Sequence, residues 1–168
     1  MKQAELQQLL TEFAADRLAL LQRHEAGARA VAHYDFNNTY QYVINREETH
    51  LAWLQNALAD FGTPLPGPSK TLSVPHTPKP GKKIDAATYR TIFEDDASHL
   101  GVFVEQWRPR VAPMTHARHR IMLEVVLGET LEHKRLIDQA AAGFEDVLGR
   151  RTGGVARQGA VLPTRWME

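Results

Sequence analysis

The stretch YQYVINREETHLAWLQNAL, residues 40–58, determines how the rest of this chain is interpreted. Its apolar side chains recur every three or four residues, which predicts one buried face of an amphipathic helix. The members of that face are Tyr40, Val43, Ile44, Leu51, Leu54 and Leu58. Glu47 and His50 fall on the same face. Because a buried carboxylate and imidazole are costly without a partner, the pattern indicates a bound metal ion.

The composition excludes several classes of protein. A chain of 168 residues is the size of one ordinary domain. Its formal net charge is zero and its basic and acidic residues are interspersed, which argues against nucleic acid and membrane surfaces as partners. The absence of cysteine excludes disulfides and thiolate metal sites. No signal peptide or membrane-length apolar span is visible, so we expect a soluble, cytoplasmic protein.

Helical periodicity predicts an all-α fold with helices over residues of about 3–31, 38–61, 85–107 and 115–148. Asn38 and Gln41 predict a capping box for the second helix, and Pro109 and Pro113 predict the turn before the fourth. The proline-rich residues 62–84 predict a long crossover loop. We therefore expect a four-helix bundle of two antiparallel hairpins over residues 1–148, followed by an irregular tail over 149–168.

The core faces of the other three predicted helices also carry side chains that bind metals. These are His24 in the first helix, Asp96 and His99 in the third, and Glu129 and His133 in the fourth. Three of the four predicted core faces thus pair an imidazole with a carboxylate one helical turn away.

The depth of these residues in the bundle follows from their distances to the turns. Two residues of an antiparallel hairpin are level when they lie equally far from the turn, and each helix residue adds about 1.5 Å. This places His24 opposite Glu47 and Asp96 opposite Glu129. Carboxylates that bridge cations and neutral imidazoles suit a pair of iron or manganese ions, with zinc as an alternative.

The pattern resembles the ferritin-like, rubrerythrin-type superfamily over residues of about 3–148. The resemblance rests on Glu47-x-x-His50 in the second helix, on Glu129 closely followed by His133 in the fourth, and on the long crossover. Asp96 corresponds to the acid of the family's third helix. The resemblance implies a ferritin-like bundle with a dinuclear iron centre that acts on oxygen or peroxide as an oxidase, peroxidase or ferroxidase. By analogy we also expect a homodimer, with Trp53, Trp107 or the tail at its interface.

The chain departs from the family pattern at several positions. The first helix offers His24 where the family has a glutamate, and Asp16 is the nearest acidic alternative. His99 is additional, and Glu132 competes with Glu129 as the carboxylate near the last histidine. Paired cysteines of a rubredoxin-like domain are missing.

Two functions from different classes therefore remain open. The first is a metal-binding protein with a dinuclear iron centre. The second is a bundle with a mononuclear zinc or nickel site, or with a metal-free polar network, that serves as a binding or assembly module. A hemerythrin-like domain is a third interpretation, but its typical spacings of histidine and glutamate are absent from these helices.

Overall fold

The structure is a computed structural model that describes residues 2–75 and 86–149. Within these ranges it contains four helices and no strand: α1 (Gln3–Ala30), α2 (Tyr34–Ala59), α3 (Ala86–Val111) and α4 (Ala117–Ala141). Short turns join α1 to α2 and α3 to α4, and α1 also contacts α3 while α2 contacts α4. The predicted all-α four-helix bundle is confirmed. No helix in the described ranges is both long and apolar enough to cross a membrane.

The turn between α1 and α2 is tighter than the sequence predicts. Helix α2 begins at Tyr34, so Asn38 lies inside the helix and the predicted capping box is wrong. Instead, the Nδ2 amide of Asn37 donates hydrogen bonds to the carbonyl oxygens of Ala28 and Val31, at 2.8 and 3.2 Å. These carbonyls belong to the end of α1, where backbone acceptors lack helical partners. The side chain of Asn37 therefore closes the first hairpin.

The second hairpin differs from its prediction at both helix ends. Helix α3 continues through Pro109 to Val111, because a proline near a helix end removes only its own N–H donor. Helix α4 ends at Ala141 rather than near residue 148. Gly143 adopts a φ of 93°, a conformation that favours glycine and ends the helix. The turn between α3 and α4 is thus centred near residue 114.

The connection after α2 starts at Gly62, which has a φ of 67°. It lies against α1, because the backbone N–H of Ser69 donates to the carbonyl of Ala15 at 3.0 Å. Leu65, Leu72 and Val74 pack on the core. Residues 76–85 lie outside the described part, so the predicted crossover is described only up to residue 75. The predicted tail also lies outside the described residues from position 150 onward.

Aromatic side chains form two clusters in the core. Phe13 packs against Phe103 and Trp107 with ring centroids 5.1 and 4.9 Å apart. Phe93 packs against Phe36 and Tyr40 with centroids 5.0 and 5.9 Å apart. Trp107 is fully buried, so it cannot lie at the dimer interface for which the sequence suggested it. Along α3, Asp96 lies between Phe93 of one cluster and Phe103 of the other.

Candidate functional site

Charged and polar side chains from all four helices meet at mid-height in the bundle. Eight of them are between 0% and 1% exposed: Arg17, Arg23, His24, Glu47, His50, Asp96, Thr130 and His133. We call these eight residues the central polar layer. Burial of charge on this scale is unfavourable unless the groups pair with one another. The pairing within the layer therefore determines what it can do.

Arg17 lies at the centre of the layer. Its Nη2 is 2.9 Å from Nδ1 of His50 and 3.4 Å from Oε1 of Glu47. Its Nη1 donates a 3.0 Å hydrogen bond to Oγ1 of Thr130, whose own hydroxyl donates to the carbonyl of Val126. Burial lowers the pKa of Arg17, and the carboxylate of Glu47 opposes that shift. One guanidinium thus joins α1 to α2 and α4.

Glu47 also pairs with His24. Nδ1 of His24 lies 2.9 Å from each carboxylate oxygen of Glu47. Burial alone lowers the pKa of His24, but its attraction to Glu47 outweighs burial, and the pKa is raised. Burial likewise raises the pKa of Glu47, but His24 and Arg17 outweigh it, and that pKa is lowered. Both shifts favour a charged imidazolium–carboxylate pair. The predicted contact between His24 and Glu47 is present, but the two residues are not level, because the first turn is centred at residue 32 rather than between residues 35 and 36.

Asp96 forms the other end of the layer. The hydroxyl of Tyr40 donates a short hydrogen bond to Oδ2 of Asp96, and Nη2 of Arg23 lies 3.1 Å from Oδ1. The hydrogen bond of that same Nη2 is directed at Oδ2 of Asp95, at 3.0 Å. Burial raises the pKa of Asp96, although His24 and Arg23 oppose the shift. Asp96 is therefore held by α1 and α2.

Glu129 lies at the edge of the layer, with 30% of its side chain exposed. Nε and Nη2 of Arg46 donate to its two oxygens at 2.9 and 2.6 Å, which is a bidentate pair. Nε2 of His50 lies 2.8 Å from Oε2 of Glu129. The hydrogen bonds from Arg46 are the main reason that the pKa of Glu129 falls to about 2. Glu129 is consequently ionised and fully paired.

His133 is buried beside His50, with ring centroids 6.1 Å apart and nearly parallel planes. Burial is the main reason that the pKa of His133 falls to about 3, and Arg17 adds to the shift. Within the described residues, Nδ1 of His133 has no hydrogen-bond partner, and the same holds for Nε2 of His24. Oδ1 of Asp96 also has no hydrogen-bond partner there. Because both ring nitrogens of a protonated His24 carry hydrogen, only Nδ1 of His133 and Oδ1 of Asp96 have a lone pair available to a ligand.

Three of the predicted ligands lie outside the layer. Nδ1 of His99 contacts the carbonyl of Asp95 at 2.9 Å, and 29% of the His99 side chain is exposed. Asp16 accepts hydrogen bonds from Gln106 and from Nε1 of Trp107. Glu132 pairs with Arg135 on the surface. The structure therefore brings together His24, Glu47, His50, Asp96, Glu129 and His133, and does not bring in His99, Asp16 or Glu132.

The predicted level pairing of Asp96 with Glu129 is wrong, because Asp96 contacts Tyr40 and Arg23 while Glu129 contacts Arg46 and His50. The reason is the register of the second hairpin. Its turn is centred near residue 114 rather than between residues 112 and 113, so residue 132 is level with Asp96.

Arg17 and Arg23 were not among the predicted site residues, although the sequence carries a signal for Arg17. Positions 10, 13, 17, 20 and 24 repeat at helical spacing, so Arg17 lies on the same face as Phe13 and His24. The observed first turn is centred at residue 32, which makes Arg17 level with Glu47. Arginine is almost never fully buried unless it is paired, so its position on that face does not by itself predict a buried guanidinium.

The side chains as they stand do not fit a dinuclear iron centre. The three carboxylates already have guanidinium partners: Glu47 has Arg17, Asp96 has Arg23, and Glu129 has Arg46. Both ring nitrogens of His50 are in hydrogen-bond contact. Among residues 2–75 and 86–149, a single trio of His or acidic side chains has ligand atoms mutually within 4.8 Å, and it lies outside the layer. Added cations would therefore meet an already compensated cluster.

Comparisons with protein-family models, with curated proteins and with solved structures found no match to this chain.

Proposed function

We propose that this chain is a metal-independent four-helix bundle that serves as a binding or assembly module. The observation that carries the proposal is the position of Arg17, whose guanidinium lies among Glu47, His50 and Thr130. A cation is needed there to compensate the buried carboxylate, and the chain supplies it covalently. A polar layer of this kind fixes which helices pair and at what register.

The ion pairs of the layer support this role because each joins a different pair of helices. Arg17 and Glu47 join α1 to α2, Arg23 and Asp96 join α1 to α3, and Arg46 and Glu129 join α2 to α4. A shift of α1, α2 or α3 along its axis would separate a buried charge from its partner, which costs several kcal/mol (about 3–5). A shift of α4 would separate Arg46 from Glu129, which costs less because about a third of each side chain is exposed. It would also move Thr130 away from the buried guanidinium of Arg17. The layer thus specifies one arrangement of the helices.

The outer face of α4 supports assembly. Ile121, Val125 and Leu131 are 55%, 43% and 40% exposed. They flank Gly128, where an added Cβ would meet nothing within 4 Å. Val125 and Leu131 lie at equal distances on either side of Gly128, so two antiparallel copies of α4 would bring Val125 of one against Leu131 of the other. That is the self-complementary pattern of a two-fold interface, and we propose a second copy of this chain as the partner.

Metal analysis combined with a measurement of molecular mass tests the proposal. Protein purified without added metal should contain no iron in the core, should lack an oxo-bridge absorption band, and should form a dimer that Val125→Glu dissociates. Arg90→Glu, a change at an exposed position of α3, is the control and should leave the dimer intact. Two irons per chain that are lost in His50→Ala would overturn the metal-independent assignment.

The ferritin-like dinuclear centre is the competing proposal. Its specific support is a set of three buried atoms without hydrogen-bond partners in the described part: Nε2 of His24, Oδ1 of Asp96 and Nδ1 of His133. It requires His24 to lose its proton when metal binds. It requires Arg17 to leave the layer when metal binds. Crystals grown with excess ferrous iron distinguish the two proposals, because only this one places anomalous scattering beside Glu47.

A further inference from the structure

A second group of metal-ligating side chains lies away from the central polar layer. His33 precedes the first residue of α2, Asp35 lies in the first turn of that helix, and Glu145 lies just after α4. One ligand atom from each of the three lies within 4.8 Å of those of the other two. The group therefore joins the turn of the first hairpin to the segment that follows the last helix.

We propose that His33, Asp35 and Glu145 bind one divalent first-row metal ion, with zinc as the reference ion. One imidazole and two carboxylates are ligands that zinc and its neighbours accept, with open positions left for water. The two negative charges would balance the charge of a divalent ion, which the compensated central layer cannot do. This site goes beyond the proposed assembly role and does not depend on it.

The spacing of the ligand atoms suits a shared ion. Nε2 of His33 and Oε1 of Glu145 are 3.6 Å apart, which is too long for a good hydrogen bond. Two donors that bind one zinc ion at about 2.0–2.2 Å in tetrahedral geometry lie roughly 3.4 Å apart. A movement of a few tenths of an ångström therefore converts the observed pair into two ligands of one ion.

One side of the site is buried in the protein and the other faces solvent. Asp35 is 5% exposed, whereas half of the Glu145 side chain is exposed. The ring of His33 packs on Phe36 with centroids 4.6 Å apart, which fixes the imidazole against the core. An ion can therefore enter from solvent on the Glu145 side and meet a preformed pair of ligands. Bound there, it would tie the segment after α4 to the first hairpin.

Zinc titration of the full chain tests the site. After treatment with chelator and its removal, calorimetry with zinc chloride should show one ion bound per chain. His33→Ala and Glu145→Gln should each weaken binding by about tenfold or more, because loss of a ligand costs at least as much as loss of a residue that only orients a ligand. Glu145→Gln keeps the shape of an exposed side chain, so folding should be unaffected.

The pair His116 and His119 is the necessary control, because their Nδ1 atoms are 2.8 Å apart and two imidazoles can also hold zinc. His119→Ala should leave the titration unchanged. Binding lost in His119→Ala, or retained in the double variant His33→Ala/Glu145→Gln, would overturn the proposal. Absence of binding at 0.1 mM zinc would overturn it as well, and would assign His33 and Glu145 to a simple ion pair. None of these outcomes depends on metal in the core, which His50→Ala tests separately.

Discussion

The guanidinium of Arg17 lies 2.9 Å from Nδ1 of His50. Because a guanidinium can only donate, Nδ1 of this imidazole is the acceptor and its proton resides on Nε2. That proton is then donated to Glu129, whose oxygen lies 2.8 Å away. A single arginine thereby fixes the tautomer of a histidine and orients it toward a carboxylate of another helix.

Replacement of Arg17 by methionine should be strongly destabilising. The change leaves Glu47 buried with His24 as its remaining charged partner, and breaking a buried ion pair costs about 3–5 kcal/mol. Urea denaturation monitored by circular dichroism measures the loss. The surface pair of Arg90 and Glu94, four residues apart on α3, provides the control, since Arg90→Met should cost at most about 0.5 kcal/mol. Equal losses of unfolding free energy for the two variants would show that the buried pair stabilises the protein no more than the surface pair.

Truncation of Arg17 to alanine should create a zinc site in the core. The change removes the cation from Glu47 and frees Nδ1 of His50, so a divalent ion can take the place of the guanidinium. At a free zinc concentration of 100 times the dissociation constant, the variant should gain about 2.7 kcal/mol of stability. A thermal-shift titration in the Glu145→Gln background, which removes the proposed outer site, makes the measurement.

The triple variant that adds His50→Ala is the control for that zinc effect. It should lose the stabilisation because one of the two core ligands is gone. If zinc does not stabilise Arg17→Ala at all, then the guanidinium of Arg17 does not occupy a place where a metal ion can bind.

Stability should pass through a maximum near neutral pH. Burial is the main reason that the pKa values of His50 and His133 fall to about 4 and about 3, below their ordinary value of 6.5. Unfolding below pH 6.5 therefore takes up protons, and stability falls with acid by up to about 1.4 kcal/mol per pH unit for each histidine. The contribution of both is complete above pH 6.5.

His24 acts in the opposite direction. Its pKa is raised because Glu47 outweighs the effect of burial, so its contribution is complete below pH 6.5 and is lost as pH rises through the raised value. Denaturation curves should show lower stability at pH 5 and at pH 9 than at pH 7. His24→Gln should remove the loss of stability at pH 9. A loss of stability at pH 9 that persists in His24→Gln would show that His24 is not its cause.

Gly27→Ala should disturb the layer indirectly. A Cβ at this position would lie 2.9 Å from the hydroxyl oxygen of Tyr40, which donates to Asp96. Overpacking of this kind costs about 1–3 kcal/mol and displaces the phenol. Gly101→Ala is the matched control in α3, because its Cβ would meet only the flexible end of Lys134 at 3.4 Å. That variant should gain about 0.5–1 kcal/mol from the better helix propensity of alanine. Melting temperatures of the two variants should move in opposite directions.

The helices were predictable because their buried faces repeat at helical spacing, and that spacing also identified Glu47 and His50 as buried. The helix ends were not predictable in the same way. The end of α1 depends on the side chain of Asn37, and α3 continues through Pro109, which local composition marks as a turn. Each shift of a turn by one or two residues changes which side chains are level across a hairpin.

The charges within the core were the harder part to predict. Glu47 and His50 are interpretable as metal ligands only if nothing else compensates them, and sequence alone does not show that Arg17 points inward. Arg23 gave even less signal, since it does not share the repeat that includes Phe13 and His24. A buried arginine makes the histidines around it hydrogen-bond partners rather than metal ligands, although their positions stay as predicted.

The covalent attachment of the Arg17 guanidinium has a consequence for how the protein matures in a cell. A cation carried by the chain is present as soon as the helix is synthesised, cannot be removed by a chelator, and cannot be exchanged for a wrong metal. Formation of the central polar layer should therefore be indifferent to iron starvation and to metal excess.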